Sequence, residues 1–379
     1  MKKVYPPSVC RYFHLLARSL LLSLILLAAC SSGPAPSPTP QPTPEIEFAW
    51  EYKAGDYIRS IPLVHEGVLY LGSDDNSLHA LDASTGELLW AYETGGNVTS
   101  TPAVLGDSLY FASWDGDLYA LDLNSGKTLW TFPTGGWISA SPLTDGERIY
   151  IASQDGSIYA LDPLTGAEVW SFETAGRLES SPALLDGVLY AASADGVVYA
   201  LNAETGELVW SYPTAGPLLS SPVAAEGLVY VASTDRRLYA LDRETGELVW
   251  TFEAERAFEG ASALSGEVIC AGNNDGRLYA LDRLTGAQLW SAPLESMVRS
   301  KPLDNANLIF IGDDGGTLSA LDPGTGQVVW SYCTGGAIAA GPAGYGDMLY
   351  AGSLDRRLHA FKLNLPESPS VEGEPEDGS

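Results

Sequence analysis

The chain is poor in the residues that most often carry chemistry: its 379 residues include 4 cysteines, 4 histidines and 3 methionines. The cysteines at 10, 30, 270 and 333 form no metal-spaced cluster, and no disulfide is expected of Cys270 and Cys333. His65, His79 and His359 are scattered, and no Ser/His/Asp constellation or phosphate loop emerges. Positive charge is scarce as well. With 20 Lys+Arg against 48 Asp+Glu the formal charge is −28, which argues against nucleic acid as a partner. The apolar run Leu20–Ala29 is about half the roughly 20 residues a membrane-spanning helix needs. What is present is 45% hydrophobic residues, 40 Gly and 24 Pro, enough to bury a full core and typical of turn-rich β structure.

The two ends differ from the rest. Residues 1–29 carry Lys2, Lys3, Arg11 and Arg18, no acid, and then the apolar run, the pattern of a signal peptide. The run ends in Leu27-Ala28-Ala29-Cys30, which resembles the lipobox of bacterial lipoproteins; the resemblance implies cleavage before Cys30 and lipid attachment to its sulfur. Cys30 is thus the expected membrane anchor, since two or three acyl chains hold a protein on a membrane where one does so only marginally. Removing the four basic residues would leave 16 Lys+Arg against 48 acids, a charge of −32. Residues 30–45 are Pro-rich and favour an extended spacer. Residues 366–379 are acidic, lack apolar periodicity and are expected to be disordered.

Between these ends the organisation is periodic. Trp50, Trp90, Trp130, Trp170, Trp210, Trp250, Trp290 and Trp330 follow one another at 40-residue intervals without insertion or deletion. Each repeat offers four short apolar stretches bounded by Gly, Asp or Pro, read as antiparallel strands A to D. Strand A is expected to contain the Ser-Pro pairs, with the proline on an inner edge. Asp-Gly at 115-116, 155-156, 195-196 and 275-276 suits a B-to-C hairpin, and Thr-Gly, as at 85-86, a C-to-D turn. The segment 46–52 is a D strand without its own A to C, whereas the last repeat has A to C and no Trp. The two complete one blade, giving an all-β, eight-bladed propeller over 46–365 closed by an N-terminal outer strand. The eight Trp are read as blade-to-blade packing.

The string Ala80-Leu81-Asp82-Ala83-Ser84-Thr85-Gly86-Glu87-Leu88-Leu89-Trp90 resembles the tryptophan-docking motif of pyrroloquinoline quinone (PQQ)-like repeat propellers, and it recurs along the chain. Signal, lipobox and eight uninterrupted blades together are similar to BamB-type outer-membrane assembly lipoproteins. That resemblance implies a non-catalytic scaffold; the Pro-rich spacer departs from it. The enzymatic branch of the family implies PQQ, Ca²⁺, a catalytic Asp and, in many members, an adjacent Cys-Cys pair, which this chain lacks. No PQQ, no bound metal and no catalytic residue are therefore expected. A PQQ-dependent dehydrogenase and a carbohydrate or small-ligand sensor stand as the alternatives.

On a repeat scaffold, binding should lie where copies differ. The D-to-A loops and B-to-C hairpins are expected to share one face, and there the copies diverge most. The candidates for a partner or small polar ligand are Tyr57, Arg59, Trp114, Trp137, Arg177, Glu179, Phe258, Glu259, Arg299 and Lys301. Asp74-Asp75 and Asp313-Asp314 give a weak hint of a cation. Cys270, in the position of a strand-B aromatic, is read as an apolar filler and not as a nucleophile. The expected state is a monomer in the cell envelope, anchored to a membrane through its lipid, with an envelope protein or small polar ligand as partner.

Overall fold

In a computed structural model, residues 45–364 are described, all within one compact unit. The expected signal peptide, Cys30, the proline-rich spacer and the acidic tail lie outside the described residues, apart from Glu45 at the spacer's end. The described strands form eight four-stranded antiparallel sheets, one per repeat, arranged as an eight-bladed propeller. In the first blade the strands are A, Leu63–His65; B, Val68–Ser73; C, Ser77–Asp82; and D, Leu88–Glu93.

Strands B and C are buried on both faces because each blade is sandwiched between two others. The core is accordingly split into clusters that straddle blade boundaries. Ile58, Leu69 and Leu81 of the first blade, for example, pack with Tyr350, Leu358 and Ala360 of the last. Strand D is the outer edge. One side of it is exposed, and the other carries the repeat tryptophan inward across a blade boundary.

The tryptophan contact recurs from blade to blade, although the buried indole N–H of Trp50, on the closing strand, has no hydrogen-bond partner among the described residues. The indole N–H of Trp130, Trp170, Trp210, Trp250 and Trp290 donates to the carbonyl of Pro163, Ala203, Arg243, Arg283 and Pro323, at 2.8–3.1 Å, in the C-to-D turn of the next blade. The strand-B tyrosine beneath it reaches the same carbonyl: Tyr110 Oη to Pro163 is 3.0 Å and Tyr150 Oη to Ala203 is 2.9 Å. The indole face lies on the turn glycine. A Cβ at Gly246 would stand 2.6 Å from Cδ2 of Trp210, and the φ of +73° there is one that side chains rarely adopt. This explains why Thr-Gly and Trp are read in one motif.

Asp82 organises the same turn from outside. Its Oδ1 accepts from the backbone N–H and hydroxyl groups of both Ser84 and Thr85. Asn202 does as well with its amide oxygen, which accepts from Glu204 and Thr205 N–H at 2.9 Å. The turn requires an acceptor, not a charge.

Closure is as the sequence implied. Glu45–Lys53 pairs antiparallel with Arg357–Asn364 as the D strand of the last blade, and Trp50 stands opposite Ala360 as Trp90 does opposite Ala80. Tyr350 Oη donates to Ala83 O at 3.0 Å, carrying the docking contact across the seam. One expectation is corrected. The inner strands begin after the prolines, as at Pro62 before Leu63–His65, so the missing N–H falls outside the ladder. Cys270 is a free buried thiol, the apolar filler expected of it, and burial and Asp304 push it up to about 12.

Two predictions follow from the turns. Gly246→Ala should cost roughly 1–3 kcal/mol more than Gly187→Ala in urea unfolding; Gly187 has a similar φ of +75° but nothing within 4 Å of its added Cβ, so the difference isolates the clash with Trp210. In the closing blade, burial raises the pKa of Asp355, but the His359 ring and the N–H groups of Gly335 and Arg357 outweigh it and hold the carboxyl at about 2. A depressed carboxyl stabilises above its unfolded pKa and loses that contribution as pH falls through the folded value. The stability gap between wild type and Asp355→Asn should therefore be full at neutral pH and close between about pH 4 and pH 2.

Candidate functional site

The D-to-A loops and B-to-C hairpins do share one face, and each pair is pinned by a backbone bond. Asp74 N–H donates to Tyr57 O at 2.8 Å, Trp114 to Asn97 at 2.9 Å, Gln154 to Trp137 at 2.9 Å, and the pattern continues around the ring to Leu354 and Ala337 at 2.8 Å. A second tie comes from the hairpin aspartate. Asp115 Oδ2 accepts from Gly95 N–H and from the Tyr119 hydroxyl, both at 2.7 Å. In the first and last blades His79 and His359 replace that tyrosine and bond Asp75 and Asp355 at 3.0 and 3.2 Å. These hairpin aspartates are turn formers, as expected. Loops held this way present side chains on a rigid rim.

The rim surrounds an axial cavity of about 580 Å³, lined among others by Arg59, Glu179, Glu259, Arg299 and Lys301. Five of the ten residues singled out in the sequence thus meet in one place. Four more adjoin it. The Arg59 guanidinium sits 5.7 Å from the ring centre of Tyr57, a cation–π contact. Arg177 is ion-paired with Glu179. Trp114 donates its indole N–H to Thr99 Oγ1 at 2.9 Å, and Trp137 stacks on Trp114 with centroids 5.2 Å apart and planes 3° from parallel. The outer face of Trp137 is left to solvent, and the side chain is 55% exposed.

The tenth is a correction. Phe258 is fully buried and packs on Tyr279 between the fifth and sixth blades. It stands in the column of Ile58, Val98, Leu178 and Val298, also buried, because alternation along the loop sends its neighbours 257 and 259 to the mouth and 258 to the core.

The acidic pairs are also resolved. Asp74 and Asp314 do not face a cation site. Each is nearly buried and holds a mouth arginine, with Arg59 Nε 2.8 Å from Asp74 and Arg299 Nη2 2.6 Å from Asp314. Burial lifts the Asp74 carboxyl above its ordinary range, and Arg59 only partly offsets this. No three His, Cys, Asp or Glu side chains gather as a metal site among the described residues.

Sequence reasoning missed the hydroxyl wall opposite. Thr101, Ser141, Ser181 and Ser221 occupy one column on successive blades. The N–H groups of Thr101, Ser141 and Ser181 donate to the Oγ of the next serine at 2.8, 2.8 and 3.1 Å. The signal was available, because the same column reads Ile61, Ala261, Lys301 and Gly341 elsewhere; it was masked by the Ser-Pro repeat around it.

Comparison with known proteins agrees with this architecture. No curated protein matches the chain by sequence. Among solved structures, BamB from Moraxella catarrhalis is similar with a TM-score of 0.74 at 22% identity, covering 84% of this chain and 100% of that one. The computationally designed Ika8 protein superposes at 0.76 with 17% identity, over 83% of this chain and 99% of that one. Quinohemoprotein alcohol dehydrogenase ADHIIG from Pseudomonas putida HK5 does so at 0.71 with 18% identity, over 87% and 78%. At such identities these three structures show the fold alone. The family model described as outer membrane protein assembly factor BamB, a PQQ-repeat propeller, matches residues 47–101, 97–177, 154–309 and 301–364, and the chain belongs to that family.

Proposed function

We propose that this protein is a non-catalytic scaffold of the cell envelope that holds a partner protein against the channel-mouth face of its propeller. The observation that carries this is where the non-repeating side chains gather. Tyr57, Trp137 and Met297, each more than 40% exposed, stand beside charged neighbours on loops that the backbone holds rigid. Aromatic and Met side chains with a polar rim are the usual make-up of a docking surface. The family's description, which names outer membrane protein assembly, points the same way.

Residues 1–29 would be removed as a signal peptide and Cys30 lipidated, with 30–45 as spacer and 366–379 as a free acidic tail. The propeller would then act as a monomer tethered outside the cytoplasmic membrane, on the periplasmic face of an outer membrane or the outer face of the cytoplasmic one. A quinone cofactor fits the axial cavity poorly. A planar ring system needs flat faces to stack on, and the wall offers Ile61, Ser141, Leu219 and Ala261 instead of aromatic rings. We therefore propose neither bound PQQ nor dehydrogenase activity.

The test is an affinity pull-down of the full-length lipidated protein from detergent-solubilised envelope, against a Tyr57→Ala/Trp137→Ala variant of unchanged unfolding midpoint. Stoichiometric recovery of an envelope protein that the variant retains at less than roughly a tenth is expected, since aromatic hot-spot residues cost about 2 kcal/mol or more each. Equal recovery by both proteins, or a bare propeller in both, would overturn the reading.

A further inference from the structure

We propose that the axial cavity binds a small hydroxylated monocarboxylate, of the sugar-acid class, at a site separate from the partner-docking rim. Its volume of about 580 Å³ is within the range of small-molecule sites. Its two walls differ in chemistry, and the difference defines the ligand.

One wall is cationic. Arg59 comes from the first blade, and Arg299 and Lys301 from the seventh. The eighth blade between them contributes only Ala339, Ala340 and Gly341, which leaves a recess flanked by positive charge. Gly341 sits tightly in that recess: an added Cβ would lie 2.7 Å from Lys301 O and 3.3 Å from Cδ1 of Ile61.

The arginines are propped from behind. Asp occupies the hairpin position behind the mouth column in two blades, at 74 and 314, and those are the two blades that carry Arg at 59 and 299. The other blades have Trp114, Gln154, Ala194, Thr234, Asn274 and Leu354 there. A carboxylate 6–8% exposed holds one edge of each guanidinium, and both arginines line the cavity, so the remaining N–H groups are available to a carboxylate bound there.

Lys301 has no acidic partner among the described residues. It keeps access to water along the axis, yet the surrounding wall removes enough of it to lower its pKa. Lys301 is itself exposed, and an unpaired ammonium in a concave wall between two arginines attracts an anion.

The other wall asks for hydroxyl groups. Ser141, Ser181 and Ser221 each accept a backbone N–H from the preceding blade, so the hydroxyl proton of each is free to donate into the cavity. Glu259, lining the same space, offers acceptors to ligand hydroxyls and repels a second carboxylate. One charged end and several hydroxyls satisfy both walls; a neutral sugar leaves the cations unmet, and a dianion meets Glu259.

The experiment is calorimetric titration of the propeller-containing full chain with gluconate, glucuronate and galacturonate at constant ionic strength, with glucose and acetate as controls. At least one sugar acid is expected to bind roughly tenfold or more tightly than either control. Lys301→Met and Arg299→Leu should each weaken it by roughly tenfold, whereas Lys362→Met, on the outside of the last blade, should not. Lys301→Met is the decisive variant, because that side chain makes no hydrogen bond or ion pair among the described residues and its unfolding midpoint should match wild type. No binding of any sugar acid at about 10 mM, binding no better than acetate, or binding indifferent to Lys301→Met would overturn the proposal.

Discussion

The propeller depends on one contact repeated around the ring, the docking of an outer-strand indole onto the glycine turn of the next blade, which seven of the eight repeat tryptophans make, while Trp330 packs on Phe361 at the closing blade. A four-stranded blade has two apolar faces and cannot bury them alone; the indole fixes the distance and tilt at which a neighbour does so. It combines a large apolar face with a single donor, and the turn supplies a bare glycine and an unpaired carbonyl to match. Because the carbonyl of residue 163 or 203 is reached by both a tryptophan and a tyrosine, indole and phenol lock at one point. The repeat length is then constrained, since an inserted residue between Trp and the next Gly would break the register of that joint. The unbroken 40-residue spacing follows from this.

The docking joints occupy the C-to-D turns, on the face opposite the channel mouth. Mouth positions are therefore held in place by backbone bonds without contributing to blade packing, and their side chains can vary. Variation there has produced a stacked indole pair, two propped arginines, an unpaired lysine and a row of serines within one ring. The fold itself is shared with BamB from Moraxella catarrhalis, a designed protein and an alcohol dehydrogenase, which superpose on this chain.

Much of this was legible in the sequence because the repeat is regular. The tryptophan spacing defined the blades, Asp-Gly and Thr-Gly located turns whose glycines do have positive φ, and the missing final Trp disclosed closure by residues 45–53. Comparing equivalent columns found nine of the ten residues at or beside the cavity. What stayed hidden depended on direction and depth. Phe258 lies one residue from a mouth position and faces the core. Asp74 and Asp314 resembled cation ligands until their arginines were seen beside them, and Ser141, Ser181 and Ser221 were concealed within a Ser-Pro motif that has a structural role of its own.

The account's central claim is that the channel-mouth face, and not the rim of outer strands, meets the partner. A photoreactive amino acid placed at Trp137, at Met297 and, for comparison, at the exposed rim residue Leu289 tests it in intact cells. The account predicts that the first two positions capture the same envelope protein and that Leu289 captures none. Capture from Leu289 alone would contradict it and move the interface to the outer strands.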